Sequence, residues 1–590
     1  MTQRVSVNQS GQQTNFDSTT NDVTPDGRYV LFSSHATNLV PGDDNARRDI
    51  FLRDRQAGST ERVSVSSSEI EGNGDCYLFG GSVSPDARFV TFTSHATDLV
   101  PGDTNQRADV FLRNRPSGSL ERVSVDSSGG QGNDRSEGGA ISADGRYVAF
   151  GSQATNLVPG DTNGQWDVFV RDRSTGTTER VSVDSSGAQA QSSSQSHPDC
   201  DISADGRFVS FINDAANLVP GDTNGLPDVF VKDRLTGVTQ RVSVSSVGLQ
   251  QNTYSFNSGG CLLSSDGRWV GFSTTASNLV PGDTNQTFDG FVHDRLNGTT
   301  ERVSVGPIGN DSGWGGVVRS VSDDGRFALT ISGTDLVPGG IAMHWDVYVR
   351  DRIAHTTERV NVRWTGEPSN GVIGTAAMSP DCRYVIFDSS ASNLVPGDTN
   401  NRSDVFVRDR IGGTQFTSLC DPGLGGVSVC PCSNPPSGSG RGCDNSAATG
   451  GATLWASGAT FLSSDSLLFA TSGQNPATVS IVFAGTALNP GGRVLGAGLY
   501  CAGGSIRRLY TKMASGGSIS APDLVAGDMT VSARSATMGD EIQPGQSRWY
   551  FVTYRDPVRL RGCHEGRATI DPLAEMMFNA TQTGVVLWAP

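Results

Sequence analysis

The chain is 590 residues long, carries 45 Lys and Arg against 61 Asp and Glu, and has a formal net charge of -16. That balance argues against a nucleic-acid or anionic-membrane surface, and no apolar run is long enough to span a bilayer. A chain of this length can bury a large core and hold more than one domain; with no signal peptide ahead of Thr2, a trimmed mature form is expected.

The chain opens with TQRVSV at Thr2–Val7, which matches the last strand of a repeat filling the first two-thirds of the sequence. The repeat is clearest at Ile141–Val183, ISADGRYVAFGSQATNLVPGDTNGQWDVFVRDRSTGTTERVSV. Its Asp-Gly-Arg turns centre on Gly27, Ala87, Gly145, Gly206, Gly267, Gly325 and Cys382, at spacings of 60, 58, 61, 61, 58 and 57 residues. A fixed long period means an array of like units. Each unit predicts four short strands. In the third copy these are one near Gly139–Ser142, then RYVAFGS, DVFVRDR and TERVSV, runs of β-branched and aromatic residues bounded by Gly, Pro, Asp and Asn. Apolar residues at successive positions, as in Tyr147–Phe150 and Val168–Val170, predict strands buried on both faces. Four-stranded sheets stacked face to face around an axis satisfy that requirement, which gives a seven-bladed β-propeller over residues 1–415. Blades are expected to begin at about 21, 82, 140, 201, 262, 320 and 377. The seventh has only a poor fourth-strand candidate near Gln415–Leu419, so the N-terminal strand is predicted to complete it and remove the open edges.

Residues 416–450 form a Cys/Pro/Gly-rich linker. Residues 451–590 carry new strands without the repeat, among them ATVSIVFAG, VLGAGLYCAG, IRRLYTKMAS, SRWYFVTYRD and GVVLWAP, and predict a β-sandwich domain. The fold class is thus all-β. Six of the ten cysteines lie in this last third: Cys420, Cys430, Cys432, Cys443, Cys501 and Cys563. An even count in a Gly-rich region predicts disulfides and an oxidising compartment: secreted, cell-surface or periplasmic, in a bacterium. A zinc site at Cys430-Pro-Cys432 is the rival, but the pair lacks the usual spacer and the nearby histidine is His564. Cys200 and Cys261 share one first-strand register in adjacent blades, which allows a bridge if adjacent inner strands come close enough.

The S-x-D-G-R-Φ-V-x-F pattern (Φ aromatic) followed by D-V-F-V-x-D-R resembles the WD40-like repeats of TolB-type propellers over about residues 1–415. The tail resembles the Gly-rich C-terminal modules of secreted bacterial proteins. The resemblance implies the fold without an activity, because such propellers serve as scaffolds, binding modules and enzyme domains. Some polysaccharide lyases are seven-bladed propellers of this general type, but no catalytic motif is matched here.

Residues present in every copy read as structural. Asp26, Asp86, Asp144, Asp205, Asp266, Asp324 and Asp381 open the turn after the first strand, and Arg55, Arg115, Arg173, Arg234, Arg295, Arg352 and Arg410 follow the third. Both turns fall at one end of a blade, which predicts an intrablade pair such as Asp144 with Arg173. The loop between strands two and three carries Asp161, Asn163 and Asp167. Matching triplets are Asp43, Asn45 and Asp49; Asp103, Asn105 and Asp109; Asp222, Asn224 and Asp228; Asp283, Asn285 and Asp289; and Asp398, Asn400 and Asp404. Oxygens at positions 1, 3 and 7 resemble the start of a calcium loop, so Ca2+ is a candidate ion. Asp172 stands at position 12, but an extended strand places it roughly 17 Å from Asp167. The other reading is that Asp and Asn bond their own backbone and shape a tight turn. Blade 6, with Gly340 and Ala342, is expected to hold no ion.

Function belongs where the copies differ. The crossovers into each blade share one face with the Asp-Asn loops and surround the channel mouth. They carry the ligand-binding candidates Tyr77, Phe79, Arg135, Tyr254, Phe256, Trp314 and Arg319, aromatic and charged groups of the kind that hold a sugar chain or peptide in a concave mouth. Ordinary loop variability, with aromatics plugging the channel, is the plainer account. His197, with Asp199 or Glu137 as carboxylate partner, is the weak catalytic candidate. His35 and His95 occupy one repeat position and read as structural. No G-x-S-x-G, H-E-x-x-H or P-loop occurs. The leading expectation is a non-catalytic secreted or envelope-associated binding or scaffold protein whose partner is a protein or polysaccharide. The alternatives are a carbohydrate-active lyase or hydrolase at the channel mouth and a calcium-stabilised structural module.

Overall fold

The computed structural model describes residues 2–191, 199–253, 260–306, 315–333, 336–337, 344–363, 367–395 and 397–410, and then 417–418, 430, 443, 452–457, 467–474, 478–495, 498–515, 518–523, 528–543, 546–555, 578–581 and 584–587. The chain divides into two compact units, Thr2–Asp409 and Arg410–Pro590.

The first unit consists of seven four-stranded antiparallel sheets. In blade 3 the strands Ser136–Ile141, Tyr147–Ser152, Asp167–Asp172 and Thr177–Arg180 pair in chain order, with Tyr147 opposite Asp172 and Ser152 opposite Asp167. Blade 7 is closed by the N-terminal strand Thr2–Arg4, which pairs with Asp404–Asp409 so that Thr2 faces Arg408 and Arg4 faces Phe406. Asp49–Asp54 and Phe89–Ser94 are buried at every position, as strands sandwiched between blades must be. Inside six of the seven sheets a pair of phenylalanines stacks across strands two and three, as with Phe150 and Phe169 at 5.9 Å between centroids; blade 6 has Thr330 opposite Tyr348 there.

Neighbouring blades lock at their turns. Gly145 holds φ +71°, a conformation that favours glycine, and a Cβ there would enter the ring of Phe89 from the preceding blade. Gly206 meets Tyr147 in the same way. Tyr147 lies between two guanidiniums, Arg146 of its own blade at 4.7 Å and Arg234 of the next at 4.4 Å.

The expected Asp144–Arg173 pair does not form. Asp144 closes its own turn, accepting from the Ser142 hydroxyl at 2.7 Å and the Arg146 amide at 2.9 Å. The intrablade ion pair is instead Arg146 with Asp172, at 2.7 Å. Its hydrogen bonds hold the Asp172 carboxyl well below the usual range. Arg173 turns to the preceding blade, pairing with Glu121 at 2.5 Å and covering the Phe89 ring at 4.7 Å.

Among the described residues the second unit has two sheets. One joins Thr417–Ser418, Gly584–Leu587, Ser547–Arg555, Val479–Leu495 and Gly498–Met513, with Phe578–Ala580 added beside Ser547–Arg555. The other joins Thr453–Ser457, Leu468–Ser472 and Ser520–Ala521. Leu454 and Phe469 of the smaller sheet share one core with Val482, Leu509 and Tyr550 of the larger, so the two pack as a small β-sandwich. Cys430 and Cys443 form a disulfide, and Cys501, also disulfide-bonded, is buried beside them. Bonded in this way, Cys430 is no thiolate ligand for zinc. Cys420, Cys432 and Cys563 lie outside the described residues. Cys200 and Cys261 are not bridged; the Cys261 thiol donates to the Asp199 carbonyl at 3.1 Å. Among the described residues no helix is long and apolar enough to cross a membrane.

Candidate functional site

The Asp-Asn loops were candidates to hold an ion, and the structure shows what their carboxylates face. In blade 3, Arg180 of the fourth strand puts Nη1 3.4 Å from Asp161 and 3.5 Å from Asp167. Asn163 turns its amide nitrogen, not its oxygen, to Asp167 at 3.2 Å, and its oxygen accepts from the Gln165 amide at 3.0 Å. Gln189 donates to both carboxylates, at 3.0 and 3.2 Å. The Ser182 hydroxyl closes the set on Asp167. Arg62 stands likewise beside Asp43 and Asp49, Arg122 beside Asp103 and Asp109, Arg241 beside Asp222 and Asp228, Arg302 beside Asp283 and Asp289, and Arg4 beside Asp398 and Asp404. Asn45, Asn105, Asn224, Asn285 and Asn400 each donate to the second Asp of their triplet.

This donor set does not fit calcium. A guanidinium already supplies the positive charge, and the Asn and Gln side chains present N–H groups where an ion requires oxygen. Burial nevertheless raises the Asp167 carboxyl, and it pushes Asp43, which also faces Asp49, up to about 7. The signal for the arginine was in the sequence. Arg4, Arg62, Arg122, Arg180, Arg241 and Arg302 recur in the fourth strand as regularly as the triplets recur in the loop. Gly340 and Ala342, on which the blade 6 exception rested, lie outside the described residues.

The crossover into blade 2 brings two of the expected mouth residues together. Tyr77 stacks on Phe79 at 5.2 Å between centroids and receives the edge of His95 at 5.8 Å. Arg48 covers the other aspect of this cluster, 5.3 Å from the Tyr77 ring, with its Nε 3.3 Å from Nε2 of His35. The backbone fixes the arrangement: the Arg48 amide donates to Asp75 at 2.9 Å, and the Cys76 amide to the Arg48 carbonyl at 2.8 Å. Phe79 remains 49% exposed. His35 and His95, expected to be structural only, therefore border this platform. Arg135 lies apart from it, 4.8 Å over the buried Trp166 ring and bonded to Gln153 at 2.9 Å. Glu137 sits in the first strand of blade 3, opposite Gly151. His197, Tyr254, Phe256 and Trp314 lie outside the described residues.

The innermost strands carry two further acids, Asp22 and Asp201, that no motif of the repeat marks. The Asp22 carboxylate accepts the Val83 amide of the next blade at 2.9 Å, and Asp201 accepts Leu263 at 2.9 Å. Ser82 and Ser320 make the same latch to Ile141 and Met378. Burial pushes Asp22 and Asp201 up to about 6, and the charge of Asp201 raises Asp22 further. Asp388, buried in blade 7, is pushed up to about 7, although Thr20 and Thr375 donate to it. Burial lowers Arg319, and the charges of Asp199 and Asp388 act against that shift.

No protein-family model matches the chain, and no curated protein does. Among solved structures it is similar to TolB from Acinetobacter baumannii, at 18% identity and a TM-score of 0.29 over 48% of this chain and 53% of that one. The chain thus spans about half the length of that TolB. It is similar to an oligogalacturonate lyase from Vibrio parahaemolyticus at 12% identity and a TM-score of 0.41, over 70% of this chain and 94% of that one. It is also similar to the Cps50 β-propeller domain of Myceliophteria thermophila at 9% identity and a TM-score of 0.37, over 67% and 97%. The seven closed sheets establish the propeller by themselves, and these likenesses say nothing about activity.

Proposed function

We propose that the protein is a non-catalytic binding or scaffold protein, secreted or held at the cell envelope, that grips a protein or glycan with the loop-lined face of its propeller. The Tyr77–Phe79 platform carries this reading. Stacked, partly exposed aromatic rings suit the C–H face of a sugar or an apolar side chain, and Arg48, His35 and His95 stand at their border as polar groups able to orient what lies there. The residues that repeat in every blade are engaged in holding the blades, whereas among the described residues this cluster occurs once. Disulfides in the second unit support an oxidising compartment.

The test is a panel of neutral and acidic oligosaccharides and of extended peptides, measured by calorimetry against the full chain. Phe79→Ala and Tyr77→Ala are expected to weaken whichever probe binds by about tenfold or more. Binding that both variants leave intact would remove the platform as the site.

A further inference from the structure

We propose that the second unit binds an organic oxyanion, a phosphate ester or carboxylate on an apolar body, in the cavity between the strand Gly498–Met513 and the helix Val531–Thr537. This site is separate from the aromatic platform of the propeller and does not depend on it. The cavity has a volume of about 580 Å³, inside the range of about 300–1,000 Å³ that small-molecule sites occupy.

The strand stands at the end of its sheet and pairs with Val479–Leu495 alone. A bulge interrupts it: Tyr510 pairs with Val482 and Arg508 with Phe483, so Leu509 is the extra residue. The Leu509 side chain enters the core, and its carbonyl accepts Nε of Arg534 from the helix at 3.1 Å. The Tyr510 hydroxyl ties the chain ahead of the helix, donating to the Met529 carbonyl at 2.9 Å. These bonds hold helix and strand apart at a fixed distance, with Arg508, Lys512 and Arg534 around the space between them.

Charge decides what fits there. Asp528 is the one carboxylate that lines the cavity, and Lys512 already answers it at 2.5 Å. Asp523, whose amide donates to Asp528 at 2.7 Å, does not line it. Arg508 and Arg534 meet neutral oxygens instead. Arg508 puts Nε and Nη2 on the Thr511 hydroxyl at 3.0 and 2.6 Å, and Arg534 puts Nε on Leu509. Arg548 of the same unit shows the contrasting case, with Nε and Nη2 on the two oxygens of Asp540 at 3.1 and 2.8 Å. The chain has 61 acidic side chains against 45 basic ones, yet among the described residues none of the acids pairs with Arg508 or Arg534. Arg534 thereby keeps both Nη groups for a ligand, the edge of a guanidinium that matches an anion with two oxygens. Met529 and Met538 supply an apolar wall, and methionine adapts to the shape of what it packs against.

Calorimetry on the full chain at low salt tests this, with octyl phosphate, octanoate and the neutral octyl glucoside as probes. At least one of the two anions is expected to bind with a Kd below about 1 mM, and the glucoside at least about tenfold more weakly. Binding of octyl phosphate alone assigns the head group as a phosphate ester, and binding of octanoate alone as a carboxylate. Arg508→Gln and Arg534→Gln are each expected to weaken the anion by about tenfold. Arg88→Gln, at an exposed arginine of the propeller, makes the same change in net charge and is expected to leave binding unchanged. Arg534 also holds the Leu509 carbonyl, so the exposed Arg508 is the deciding variant, and its melting temperature is expected to match that of the unaltered chain. The proposal is overturned if neither anion binds at about 5 mM, if the glucoside binds as tightly as the anions, or if Arg508→Gln binds like the unaltered chain.

Discussion

Strands two to four of each blade and the innermost strand of the same blade behave differently. The outer three strands repeat almost residue for residue, down to the stacked phenylalanines and the Arg146–Asp172 type of ion pair. The innermost strands share a position and little else: one contributes Asp22, another Glu137, another Arg319. Strands two and three are held by packing on both faces, so any change there disturbs two blades. The inner strand is held by a ladder and one side-chain latch, so its remaining positions are open to variation. A propeller can thus change its axis without changing its ring.

The largest effect is expected in the outer region. Arg180→Leu leaves Asp161 and Asp167 buried without their cation, and breaking such a pair costs about 3–5 kcal/mol, to be read by urea unfolding. Because a guanidinium already serves those carboxylates, millimolar calcium or a chelator is expected to leave the melting temperature of the unaltered chain unchanged.

Two glycines of blade 3 then separate backbone strain from packing. Gly145 and Gly160 have almost the same φ, +71° and +74°, but a Cβ meets the Phe89 ring at the first and nothing within 4 Å at the second. Gly160→Ala is expected to cost about 1 kcal/mol, and Gly145→Val about 3 kcal/mol or more, since overpacking adds to the strain. Equal costs would show that the ring contact contributes nothing.

The inner strands, with Asp388 in the second strand of blade 7, have a pH signature. Asp22 and Asp201 titrate near 6 and Asp388 near 7 in the fold, against an ordinary value of 3.8. The folded chain therefore binds more protons than the unfolded one across that window, and stability falls as pH rises from about 4 to about 7. Asp54, Asp172 and Asp233, held low by Arg28, Arg146 and Arg207, act oppositely: their contribution is present above about pH 4 and lost as pH falls below it. The melting temperature is expected to peak at mildly acidic pH, and Asp22→Asn with Asp201→Asn to flatten its neutral side. The smallest effect on stability belongs to Phe79→Ala, whose half-exposed side chain is expected to change stability by less than about 0.5 kcal/mol while ligand binding weakens about tenfold or more.

The ring was legible in the sequence because its determinants are local and repeated. Apolar runs such as Tyr147–Phe150 mark a strand buried on both faces, and TQRVSV at the start names its place in the seventh blade. Pairings were less legible. Arg146 and Arg173 both recur beside an Asp, and spacing alone does not say which arginine turns to which acid. The arginine beside each calcium-like loop was less legible, because Arg180 comes 13 residues after Asp167 and reaches it only through strand register. Tyr77 and Phe79 were picked out as single-copy aromatics and do meet; the flanking histidines were dismissed because two copies share them. Asp22 and Asp201 were passed over for another reason: small or apolar residues fill the same position elsewhere.

The closing strand sets an order of events during synthesis. Thr2 is made 406 residues before its partner Arg408, an interval of roughly 20–80 s at about 5–20 residues per second. For that time the growing protein is an open arc with two unfinished ends rather than a ring. The three-residue strand Thr2–Arg4 waits through it as little more than a tether. A nascent chain delayed in that window presents the strand edges that closure removes, and another arc beside it carries the same TQRVSV segment to cover them.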